Sequence, residues 1–204
     1  MIAHILANGG VILIAILLCS VVAAGMVLER CLRLLPLRRR SLADWQTFEN
    51  AVNRGQGAHV SLGEQTPLAR VIGRAQAAVP GGREAVRMSA IEAAQREVPA
   101  LERGLGTIAI VAQVTPLLGL LGTVVGLMEA FQAAGESDRI VHSMLASGIY
   151  KALGTTAAGL GVAIPAYIAY STLSGLANRH IDQLEMLAGE LPLALVAGDE
   201  GQGA

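Results

Sequence analysis

Charge is what this 204-residue sequence has least of. Asp, Glu, Lys and Arg make up 15% of it, against about 25% in a soluble domain. Aromatic residues are scarcer still, at 3%. That argues against a β-sandwich or barrel, whose strands draw on them. The two cysteines, Cys19 and Cys31, lie twelve positions apart. On one helix that is roughly 18 Å, beyond disulfide reach. His4, His59, His142 and His180 are scattered, so no zinc-site spacing occurs and no metal or cofactor is expected. The net charge of −1 gives no basic field for nucleic acid. What is abundant is apolar: 53% hydrophobic residues, with 24 glycines. The composition points to an all-α integral membrane protein in a lipid bilayer.

Three apolar segments carry that reading. Gly9 to Leu28 is twenty residues without a charge, about 30 Å of helix and enough for a hydrocarbon core. Arg30, Arg33, Arg38, Arg39 and Arg40 follow it, so the positive-inside rule puts this end in the cytoplasm and the N-terminus outside. A cleaved signal peptide does not fit, because no Lys or Arg precedes the run. The second segment, Gly104 to Met128, is uncharged, and the third, Val141 to Asn178, holds one charge, Lys151. The stretch from Arg30 to Arg103 has 12 of the 15 basic residues and seven acids. The short connector has Glu129, Glu136, Asp138 and a single Arg139. The expected layout is a first span over 1–32 and a cytoplasmic helical region over 33–103. The second and third spans lie within 104–178, with an external turn near 132–141, and a cytoplasmic tail follows over 179–204.

The region 33–103 reads as helices. Ser41 with Asp44, and Ser61 with Glu64, have the hydroxyl-to-acid spacing of helix starts. Leu68, Val71, Ile72, Ala75 and Val79 follow a helical period, and Pro80-Gly81-Gly82 is a break. From Arg83 to Phe131 one long helix is expected, with Pro99 as a kink. Glu92 with Arg96, and Glu84 with Arg87, fit a solvated face.

At 100° per residue Thr115, Gly119, Gly122, Thr123, Gly126 and Glu129 share about 120° of the second span. In the third span Gly148, Lys151, Thr155, Ala158, Gly159 and Val162 share a face, with Thr156 beside it. Small residues let helices approach closely, so from spacing alone the stripes read first as a packing seam and second as the lining of a polar path. Lys151 reads either as snorkelling to the outer interface or as paired with a carboxylate, Glu129 being one candidate.

Thr115-Pro-Leu-Leu-Gly-Leu-Leu-Gly-Thr-Val-Val-Gly-Leu-Met128 and Ala152-Leu-Gly-Thr-Thr-Ala-Ala-Gly-Leu-Gly-Val-Ala-Ile-Pro165 resemble the paired signatures of the MotA/TolQ/ExbB proton channel family. The N-out, three-span layout is similar to ExbB and TolQ rather than to four-span MotA. The resemblance implies a non-enzymatic motor subunit of the bacterial inner membrane. Five copies would ring two single-span helices of an ExbD- or TolR-like partner. Proton flow there would drive an outer-membrane process through a TonB- or TolA-like protein. The family's pore threonines correspond to Thr123 and Thr156, with Thr155 adjacent, and its proline to Pro116. Lys151 stands where ExbB and TolQ typically carry a glutamate. The carboxylate for the proton would then come from the partner's helix. A non-conducting scaffold that anchors such a partner is the competing reading. An intramembrane enzyme lacks support, since the threonines have no base.

Overall fold

The computed structural model describes residues 10–63, 65–135 and 142–196. Every α-helix and 3-10 turn among them continues the all-α reading. His4, Glu64, the connector residues Glu136, Asp138 and Arg139, and the end of the tail lie outside the described residues.

Helix α1 spans Gly10–Asn53. It passes through Ser41 and Asp44 without a start there. Ser41 is buried, and the Asp44 carboxylate accepts from the Thr66 hydroxyl rather than from its own backbone. Both cysteines lie on α1 as free thiols. Helix α2, Pro67–Ala77, begins at Thr66 and not at Ser61. Thr66 Oγ1 accepts from the Ala69 amide at 3.1 Å, and Pro67 supplies a helical φ where no amide is needed. The anticipated apolar face is buried at Leu68, Val71, Ile72 and Ala75, while Val79 enters a 3-10 turn, Val79–Gly81.

Helix α3, Gly82–Glu102, follows the break expected at Pro80-Gly81-Gly82, where Gly82 has φ +82. It packs on α2 through Val86, Ala90, Ala93 and Ala94. The Arg70 guanidinium grips Glu97 with Nε and a terminal nitrogen. Arg96 pairs with Glu92 on the solvated face, whereas Glu84 and Arg87 form no ion pair among the described residues.

The single helix expected from Arg83 to Phe131 is interrupted. It breaks at Arg103 and Gly104, not at Pro99, which stays inside α3. Proline removes one hydrogen bond but keeps a helical φ. Gly104 has φ +78, which ends a right-handed helix outright. Helix α4 then runs Leu105–Gly135 with Pro116 inside, and α5 runs His142–Val196, 55 residues. Residues 179–196, read above as tail, continue α5. There Leu184, Leu187, Leu191 and Leu195 are buried at helical spacing.

The chain divides into two compact units. One draws on 1–29 and 104–172, the other on 30–103 and 173–204. The first contains the apolar parts of α1, α4 and α5. The second contains α2, α3 and the last half of α5, around Leu34, Phe48, Val71, Ile72 and Val86. Arg30 is buried in that second unit, where it donates to the Ala100 carbonyl at 3.2 Å. Three helical stretches are long and apolar enough to cross a membrane: Gly10–Asn53, Val79–Gly135 and Leu145–Val196. The chain covers only 17%, 33% and 28% of their most apolar windows. Apolar surface on that scale calls for lipid or other chains to cover it.

Candidate functional site

The predicted stripes meet in one seam between α4 and α5. A Cβ on Gly159 would lie 2.5 Å from the Thr115 carbonyl oxygen and 3.1 Å from Gly119 Cα. On Gly119 it would lie 3.0 Å from the Thr155 carbonyl oxygen, and on Gly126 3.0 Å from Ala152 Cβ. A Cβ on Gly122 would run into the Thr155 side chain, and one on Gly148 into Ala130. At Gly119 and Gly159 glycine is needed because the two backbones touch, and at the other three the nearest obstacle is a side chain. Gly154 and Gly161, with nothing within 4 Å, carry no such demand.

These contacts set an antiparallel register. Gly119 faces Gly159, Gly122 faces Thr155, Gly126 faces Ala152 and Ala130 faces Gly148. Ala130 and Ala152 are therefore seam residues that the polar-and-glycine criterion passed over. Both are buried, and alanine at the same helical spacing was the signal that would have found them.

The threonine hydroxyls converge on this seam. Thr156 Oγ1 donates to the Gly119 carbonyl at 2.9 Å. Thr155 Oγ1 donates to Ala152 O at 2.7 Å and approaches Gly119 O at 3.4 Å. Thr115 Oγ1, fully buried, donates to Val111 O at 2.8 Å. Thr123 Oγ1 donates to Leu120 O at 2.6 Å from a half-buried position. Each hydroxyl thus has its proton on a backbone carbonyl. Among the described residues no ionisable side chain lies in the contact itself. The seam, as far as it is described, holds no charge of its own.

Pro116 is half-buried beside Thr115, and its missing amide leaves one carbonyl of the ladder unpaired within α4. Lys151 and Glu129 are both exposed, and no ion pair joins them among the described residues. Lys151 is off the contact, which turns toward Ala152 instead. The register places Glu129 level with Ile149 and Lys151 level with Leu127, a difference of about 3 Å along the axis. At 100° per residue, Glu129 and Lys151 fall on one flank of the helix pair. Thr123 and Thr156 fall on the other. Thr123 and Thr156 therefore lie on the flank opposite the two charges, while Thr115 and Thr155 are buried in the contact between the flanks.

Residues 64–186 match the MotA/TolQ/ExbB proton channel family. Among similar proteins is a biopolymer transport protein ExbB homolog of Methanothermobacter thermautotrophicus. It is 34% identical over 158 residues, covering 74% of this chain and 56% of that protein. The Tol-Pal system protein TolQ of Haemophilus influenzae is 46% identical over 82 residues, 40% of this chain and 36% of its own. The biopolymer transport protein ExbB of Neisseria meningitidis is 27% identical over 202 residues, 91% of this chain and 90% of that one. The chain thus spans about half or less of the first two relatives and nearly all of the third. The family match includes the whole α4–α5 seam, and with three helices apolar enough to cross a membrane, this chain belongs to the MotA/TolQ/ExbB proton channel family.

Proposed function

We propose that the chain is a proton-channel motor subunit of a bacterial inner membrane, with its N-terminus periplasmic and its C-terminus cytoplasmic. Five copies form a ring around the single-span helices of an ExbD- or TolR-like partner. The proton-motive force then energises an outer-membrane process through a TonB- or TolA-like protein. The observation that carries this reading is the pair of hydroxyls, Thr155 and Thr156, brought to the Gly119 carbonyl inside an apolar helix pair. A hydroxyl path moves protons without a resident charge, and the apolar outer faces seal against lipid. The partner's carboxylate supplies the proton-carrying group, since the third span has Lys151 where relatives of this type typically have an acid. Lys151 in this reading is charged and neutralised by Glu129 or by the partner's carboxylate.

The alternative, a non-conducting scaffold, is favoured by one observation. All four seam hydroxyls already donate to backbone carbonyls. The two readings separate in proteoliposomes containing the chain with its single-span partner, under an imposed pH gradient and with a pH-sensitive dye inside. A conducting subunit shows partner-dependent proton uptake, reduced at least ten-fold by Thr156→Val or Thr123→Val with the complex still intact by mass. Partner capture without proton uptake establishes the scaffold instead.

A further inference from the structure

A second polar site lies in the unit that holds α2 and α3. It is a cavity of about 400 Å³ bounded by α2, α3 and the segment before them. Among the described residues its polar wall consists of Ser61, Arg70, Arg74, Gln76, Arg96 and Glu97, three cations against one carboxylate. Arg70 and Arg74 are one helical turn apart and share a face of α2. Arg96 comes from α3.

The three arginines are not equivalent. Arg70 is locked in the two-pronged grip on Glu97, so that carboxylate is taken. Among the described residues Arg96 pairs only with Glu92, both side chains 64% open to solvent, and such an exposed pair is weak. Arg74 has no carboxylate partner among the described residues. The wall is also braced. The Gln76 amide nitrogen donates to the carbonyls of Gly57 and Val60 at 2.8 and 3.0 Å, which holds the segment at the rim against α2. Gly73 also lines the cavity, and a Cβ there would meet open space.

We infer that this cavity binds a small phosphate-bearing compound, with Arg74 and Arg96 as its ligands. Guanidinium forks match phosphate oxygens two at a time. The volume exceeds what a lone phosphate fills, and the lining has no aromatic ring on which a base would stack. A phosphomonoester or a short polyphosphate fits both facts. Nothing in this assignment depends on proton conduction, so the two stand or fall separately.

The test is calorimetric titration of the full chain in detergent at low ionic strength. The probes are inorganic phosphate, pyrophosphate and a short glutamate peptide. Pyrophosphate is expected to bind saturably, one per chain and more tightly than the peptide. Arg74→Gln and Arg96→Gln should each weaken it at least ten-fold with the helical circular dichroism unchanged. Arg87→Gln, an exposed arginine outside the cavity, should leave it as it was. Absence of saturable binding overturns the assignment. So does an equal loss in Arg87→Gln, which would mean general charge attraction. Tighter binding of the peptide also overturns it and makes the cavity a seat for an acidic protein segment.

Discussion

Gly159 and Gly122 sit in the same seam but for different reasons. The obstacle to a side chain at Gly159 is backbone, the Thr115 carbonyl at 2.5 Å. At Gly122 it is the Thr155 side chain, which can be trimmed. Overpacking of this kind costs about 1–3 kcal/mol. Gly159→Ala should therefore lower the unfolding midpoint in detergent, and no side-chain change in α4 should restore it. Gly122→Ala should be destabilising alone and partly rescued by Thr155→Ala. Equal rescue at both positions would show that the helices slide apart easily. Glycine and threonine at these spacings were visible in the sequence. Which of them meet backbone was not, because that depends on the register of two helices far apart along the chain.

At the scale of elements the sharpest departure is the break between α3 and α4. Pro99 is the more conspicuous residue, yet the chain leaves the helix at Arg103, where ψ is 129, and turns at Gly104, where φ is +78. An alanine forced into that conformation costs about 1–2 kcal/mol. Gly104→Ala should thus destabilise the chain in reversible denaturation, while Pro99→Ala should be neutral or stabilising. The reverse ranking would assign the break to proline after all. The α4–α5 register supports a second expectation. Glu129 and Lys151 are level and on one flank, and a lone ammonium in hydrocarbon costs on the order of 3 kcal/mol. Lys151→Glu should depress partner-dependent proton uptake, and adding Glu129→Lys should recover part of it. Full uptake in Lys151→Met would show that the charge is dispensable and that the lysine snorkels.

For the whole molecule, the uncovered apolar surface decides what must surround it. The first-span window is the least covered, at 17%, and Val21 on it is 71% exposed. If the second and third spans line the inner wall of a ring, neighbouring copies meet along α4 and α5 while α1 faces lipid. Starting from a chain with Cys19→Ala and Cys31→Ala, Thr123→Cys and Thr156→Cys should give subunit-to-subunit cross-links in membranes, and Val21→Cys should give few. Strong links at Val21 with none at the two threonine positions would place α1 at the interface and reject this arrangement.

Local chemistry alone determined a good deal. The all-α class and the three apolar stretches follow from composition and run length, because a bilayer span must pair its own backbone groups. The α2 core face was legible from its period, and so was the turn at Pro80-Gly81-Gly82, where proline fixes φ and glycine admits a positive one. The family resemblance rested on short strings within single helices. Tertiary structure decided the rest. Thr66 rather than Ser61 starts α2, because Thr66 has Pro67 after it and Asp44 of another helix to donate to. Ala130 and Ala152 join the seam, and Lys151 leaves it, because contact between helices selects the residues that face a neighbour. Periodicity shows which residues share a face of one helix. Only packing shows what that face meets.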